Sequence, residues 1–208
     1  MDRESPDLTT YTASVTPLPA DLPALPDAPL VGAFDWLTPP SHELDWAVAG
    51  PPGSPTFDVR SVDRLEALAA AQDVSLPGPF VTFLRSERRH WVRSWTGCWL
   101  ELPTRLVKLP GTNLPVVRFL NDQQGVVFWY LVISPDGDDR GVVVSEDLLD
   151  ADEPSAEAEP APIYLCGSSF EAFMLRYWLE NEILFRTEAD EPLSDLQQEY
   201  AERWRPHR

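Results

Sequence analysis

The sequence predicts an α+β fold: a central antiparallel sheet with two N-terminal helices and a long C-terminal helix packed on it, preceded by a Pro-rich N-terminal extension. Three observations carry that expectation. Runs rich in Val, Ile and aromatic residues recur between residues 91 and 145, separated by turn residues. Segments with helical spacing flank them on both sides. Half of the 22 prolines fall before residue 60.

Within that extension, Leu18 to Leu30 repeats a Leu/Pro cadence that reads as extended or polyproline-like linker, because proline removes a donor and cannot continue a helix. Phe34-Asp35-Trp36-Leu37 and Leu44-Asp45-Trp46 are apolar islands in the tract. Pro39-Pro40 and Pro51-Pro52-Gly53 prevent long regular elements around them. Residues 1–60 are therefore expected to be partly ordered at best, with the domain proper spanning 61–187.

The first helix is expected to open at Ser61 as N-cap, with Val62, Leu65, Leu68 and Ala69 on one face. Pro77-Gly78-Pro79 interrupts it, and Pro79 suits the first turn of a short second helix carrying Phe80, Phe83 and Leu84 inward. In "WVRSWTGCWLEL", Trp91, Trp95 and Trp99 recur every four residues. Thr96-Gly97 lowers helix propensity there, so a strand bulged at Gly97 is expected. "LPVVRFL", "GVVFWYLVI" and "GVVVS" are three further strands. Asn121 to Gly125 joins the first two as a bend, with Gly125 tolerating positive φ, and Ser134-Pro135-Asp136-Gly137 turns the second into the third.

Residues 151–161 are acidic and proline-bearing and read as a mobile insert. Pro162 to Leu165 is a short strand. A long helix then starts at Ser168, with Glu171 at capping-box spacing. Phe170, Phe173, Met174, Tyr177, Trp178 and Leu184 are expected to run down its core face. Burial of each large apolar side chain stabilises by about 1.5–3 kcal/mol, which favours a core role over an aromatic cofactor box. Residues 188–208 form a C-terminal helical tail through Leu193, Leu196, Tyr200 and Trp204, ending in basic residues.

Function is bounded by charge. The 208 residues carry a formal charge of -18, which repels nucleic acid and anionic lipid and attracts basic partners. No run is apolar enough to span a bilayer, the N-terminus is unlike a secretory signal, and two cysteines read as buried free thiols, so a cytoplasmic protein is expected. Catalytic chemistry finds no motif. His42, His90 and His207 stand in no pattern that supplies a base to Cys98, Cys166 or a serine, so no catalytic residue is assigned. No Cys/His cluster suits zinc, Asp136 to Asp139 lacks the calcium-loop spacing, and no phosphate loop occurs; no cofactor or metal is expected. Asp122 sits at a strand end, where an Asx-turn is favoured over a general acid.

The segment "RSERRHWVR" is the exception to the acidic surround. Arg88, Arg89, Trp91 and Arg93, together with Asp122 farther along the chain, are the candidate partner-binding residues. The competing reading pairs the arginines with internal carboxylates and puts Trp91 in the core.

Two N-terminal helices divided by a Leu-Pro turn, an antiparallel run of strands, then a helix opening Ser-Phe-Glu-x-Phe is an arrangement that resembles the SUKH superfamily. That superfamily includes fungal cell-wall regulators and bacterial immunity proteins. The residues that carry it are Leu76-Pro77 leading into Phe83-Leu84, and Ser169-Phe170-Glu171-Ala172-Phe173. The similarity spans roughly residues 61–187, and its motifs are short. It implies an α+β binding domain, not an enzyme, whose bacterial relatives neutralise a toxin by contact. The expected partner is thus a protein, a basic toxin domain. The alternative expectation is a housekeeping adaptor that recruits partners through its proline tract or tail, and a less favoured one is an enzyme with Asp122 and His90 converging in a cleft.

Overall fold

A computed structural model describes residues 15–17, 23–40, 46–50, 57–151 and 161–203. Alternation of apolar side chains builds its sheet. The antiparallel centre is β4 (Pro115–Asn121), β5 (Phe128–Ile133), β6 (Asp139–Ser145) and β7 (Ile163–Gly167). Two short strands, β2 (Trp99–Leu100) and β3 (Val107–Lys108), share the outer edge of β4, one at each end. At the opposite edge β1 (Val15–Pro17) runs parallel to β7, Val15 facing Ile163. That strand was not expected, because three residues in a proline tract carry no periodic signal.

Period-two alternation divides the sheet into two faces. Trp129, Leu131 and Ile133 of β5 join the main core, whereas Phe128, Tyr130 and Val132 join a smaller cluster behind the sheet. The main core is roofed by α1 (Arg60–Ala70), α2 (Gly78–Arg85) and α3 (Phe170–Glu188), with α4 (Asp195–Arg203) against α3. The turns behave as their residues dictate. Gly125 takes φ +67° in the β4–β5 bend, and Asp122 closes that bend as an Asx-turn, accepting from the N–H groups of Gln124, Val126 and Val127. Gly137 takes φ +85° in the next. Gly141, at φ +115°, lies where a Cβ would meet the Gly167 carbonyl oxygen at 2.5 Å, so β6 and β7 approach there only without a side chain.

Four local expectations are corrected. Residues 91–100 do not form one strand. Glu87–Trp91 is a 3₁₀ turn capped by Ser86, whose hydroxyl accepts from the Arg88 N–H, and strand pairing to β4 begins only at Trp99. The four-residue recurrence of Trp91, Trp95 and Trp99 reflects separate packing sites, not strand period. Helix α1 starts one residue before Ser61, with the Asp58 carboxylate accepting the Arg60 N–H. Ser169, not Ser168, caps α3 by accepting from Ala172, and Glu171 does not complete a capping box. Leu184 is exposed rather than in the core.

The first sixty residues contribute directly to the core: Phe34, Trp36, Leu37, Val48, Ala49 and Phe57 are all buried in the main cluster. Residues 18–22 of the Leu/Pro tract, most of the 151–161 insert, and Trp204 with the end of the basic tail lie outside the described residues. No helix among the described residues is long and apolar enough to cross a membrane.

Candidate functional site

Helix α3 fixes an incoming chain segment at each of its ends. At its start Glu171, 4% exposed, turns away from its own helix. Its Oε2 accepts the Gly32 N–H at 2.6 Å, while Oε1 accepts the Phe34 N–H and the Trp36 indole N–H. Gly32 and Phe34 both adopt positive φ, which aims their N–H groups at one carboxylate. Phe34 then packs against Phe83 and Phe170, and Trp36 against Trp178 at 5.7 Å. This end is sealed.

Further along, the apolar stripe of Phe170, Phe173, Met174, Tyr177 and Trp178 continues at 3.6-residue spacing through Asn181, Glu182 and Phe185. Two buried polar residues on a core stripe require partners. Glu182 receives the guanidinium fork of Arg93, Nε to Oε1 at 2.7 Å and Nη2 to Oε2 at 2.8 Å, both side chains 2% exposed. Asn181 Oδ1 accepts the Trp95 N–H at 2.6 Å. The Arg93 guanidinium also lies 4.2 Å from the Phe185 ring centroid.

These contacts hold residues 92–95, and a second segment pairs with them. The Val48 N–H donates to Val92 O, the Ser94 N–H to Trp46 O, and Ala47 faces Arg93 in an antiparallel bridge. The Leu100 N–H donates to Val48 O, tying this ladder to β2. Two tryptophans are thereby displayed beside α3. Trp95 packs edge-on to Phe185 at 5.0 Å and Trp46 is tilted to it at 6.3 Å, yet Trp46 remains 53% exposed and Trp95 40%. Leu184 completes the patch.

Beside it lies a groove of about 420 Å³ whose lining includes Trp95 and Leu184 together with Trp129, Val144 and Phe173. Glu180 lines it too. Burial raises the Glu180 pKa above the ordinary range, and the Tyr200 hydroxyl donating at 2.6 Å and nearby Arg176 offset that only in part. Arg176 in turn donates to Pro23 O and the Tyr200 hydroxyl oxygen. Cys98 and Cys166 are buried free thiols on this groove, and burial pushes the Cys166 thiol up to about 12, so it stays protonated at neutral pH. Aromatic faces and an aliphatic slot suit packing and cation–π contact.

The sequence-selected residues are placed differently. Arg93 and Arg89 are inside the protein, which corrects their candidacy as surface contacts: Arg93 compensates buried Glu182, and Arg89 donates to Ser86 O. Arg88 is half-buried and holds Ala33 O, Phe34 O and Asp35. Trp91 is half-buried against the core, with the Arg88 guanidinium 5.8 Å from its ring. Asp122 is occupied by its own bend, and His90 is buried with Nδ1 on Gly50 O at 2.9 Å. The structure thus does not bring Asp122 and His90 together with a shared partner. His42 and His207 lie outside the described residues. Among the described residues no group of three or more His, Cys, Asp or Glu could hold a metal ion.

Trp46 and Leu184 were not selected from sequence, and Trp95 was assigned to a strand. Helical spacing gave no signal for Leu184: at about 100° per residue it falls between Phe173 and Tyr177, within the apolar stripe, and its exposure is decided by what packs beside the helix. No family model, curated protein or solved structure matches the chain.

Proposed function

We propose that this chain is a non-catalytic, cytoplasmic binding protein of the SUKH immunity type, which neutralises a basic toxin domain by direct contact. One observation carries the reading: the arginines of the most basic stretch are engaged within the chain itself, Arg93 in a buried fork, Arg88 half-buried and Arg85 in exposed ion pairs. Arg85 pairs with Asp63 and Glu66, Arg88 with Asp35, and Arg93 with Glu182. Farther along the chain Arg118 is fixed by Asp150. With those cations engaged, a formal charge of -18 is left to dominate the exterior. Such a field steers a cationic partner and speeds encounter. The adaptor alternative recruits through the proline tract or the C-terminal tail, and the packing of Phe34, Trp36 and Leu37 into the core weighs against the first of these routes.

The reading is tested by co-expression with the product of the adjacent gene. Rescue of growth, a stoichiometric complex, and an association rate that falls as salt rises through the range where the Debye length shrinks to about 8 Å support it. Failure to rescue cells from that product, or a complex indifferent to salt, counts against it.

A further inference from the structure

We propose that the exposed rings of Trp46 and Trp95, with Leu184 and the adjoining groove, form the docking patch for an arginine flanked by aliphatic side chains on the surface of a basic protein. This deepens the reading above and rests on it for the charge of the partner.

The patch is built, not incidental. Its two tryptophans are set by a hydrogen-bonded ladder, the Asn181 contact to Trp95 N–H, and the buried Arg93–Glu182 fork beneath Phe185. With the backbone of both tryptophans held and each ring resting against Phe185, little further freedom is lost on binding. Tryptophan is also the residue type most enriched among dominant interface contacts.

Charge selects the occupant. On α3, Glu188 stands one turn after Leu184 and is exposed, whereas Glu180, one turn before it, lines the groove and is already engaged by the Tyr200 hydroxyl. Arg176, a cation on the groove, is already directed to Pro23 O and Tyr200. A guanidinium is weakly hydrated and stacks on indole faces. The protein itself sets guanidinium groups over aromatic rings, Arg93 over Phe185 beneath the patch and Arg88 over the Trp91 indole elsewhere. An incoming arginine would take the free ring faces, near Glu188, while a neighbouring aliphatic side chain enters the slot beside Leu184 and Trp129.

The test uses the full chain labelled with ¹⁵N and the peptide acetyl-Leu-Arg-Leu-Arg-amide, with citrulline in place of arginine as the control. Trp46→Phe and Trp95→Phe assign the two indole N–H resonances. The expected result is saturable movement of both indole signals and of the α3 backbone amides around Leu184 by the arginine peptide, at least about tenfold weaker with citrulline, with the backbone-amide movement abolished in the double variant W46A/W95A. Retention of cooperative unfolding in that variant separates loss of binding from loss of fold, and L184K supplies an independent disruption through like charge. Signals that do not move, or that move equally with citrulline, overturn the proposal. So does concentration-dependent movement without peptide, which would mean that a second copy covers the patch. If the adjacent-gene product binds W46A/W95A as tightly as the original chain, the docking patch is refuted and the function stands. If it never binds the original chain, the function fails and the peptide result still decides the patch.

Discussion

The two ends of helix α3 do the same thing with opposite outcomes. At the first, Glu171 gathers three N–H donors from residues 32–36 and draws Phe34 and Trp36 into the core. At the second, Asn181 and Glu182 take hold of residues 93–95, and the tryptophans there stay in solvent. Hydrophobicity alone does not separate Trp36 from Trp46. What separates them is where the polar anchor lies relative to the ring. Glu171 binds the Trp36 indole N–H itself, so the ring follows its anchor inward. Asn181 binds only the backbone of Trp95, and Trp46 is fixed through its carbonyl, so both rings are free to face outward.

That contrast sets the order of expected effects. Trp36→Ala should be among the most damaging, at about 3–5 kcal/mol in denaturant unfolding, because a buried indole leaves a cavity. Glu171→Ala should fall in the same range, since it strands three N–H donors at about 1–3 kcal/mol each before relaxation. A loss under about 1 kcal/mol for either would erase the distinction between a sealed end and an open one.

Arg93→Met leaves Glu182 buried without its ion-pair partner, and should destabilise by about 3–5 kcal/mol. The double variant R93M/E182L should recover most of that loss, as a buried fork exchanged for apolar packing is often neutral. It should nevertheless weaken partner binding, because the ladder beneath Trp46 and Trp95 loses its specific anchor. A double variant as unstable as R93M would show that the fork is needed for folding and not only for position.

Glu180 sharpens the comparison through pH. Burial holds its folded-state pKa above the unfolded value, so folding disfavours its charged form. Glu180→Gln removes that penalty while keeping an acceptor for Tyr200. Its stability advantage over the original chain should be greatest near neutral pH, and should narrow as pH falls toward the ordinary glutamate value of about 4.3. An advantage that grows on acidification has the wrong sign.

The smallest expected effect is the most diagnostic. Trp46→Ala should change unfolding free energy by no more than about 0.5 kcal/mol, as exposed substitutions do, while lowering partner affinity at least tenfold, or about 1.4 kcal/mol. Equal losses in both quantities would return Trp46 to the core-forming class with Trp36.

Much of this was present in local chemistry. Val/Ile/aromatic alternation marks β4, β5 and β6, glycine and aspartate mark the two bends, and Pro79 marks the start of α2. Each depends on neighbours a few residues away. What failed was nonlocal. The Ser-x-x-Glu spacing at Ser168 looks like a capping box, but Glu171 has partners 135 to 139 residues earlier in the chain. Arg88 and Arg93 read as part of an exposed basic patch because their counter-charges and carbonyls lie in other segments, whereas Arg89 has its acceptor, Ser86 O, close by and is buried by the fold around it.

Sequence by itself determined the class of fold, the order of its main elements and the sign of its field, because propensity, turn geometry and total charge are properties of short stretches or of simple sums. Tertiary structure decided which aromatics are buried, which arginines are silent and where Trp46 and Trp95 meet Phe185. Those outcomes depend on which buried polar group finds which partner, and desolvation makes that choice only when distant segments come into contact.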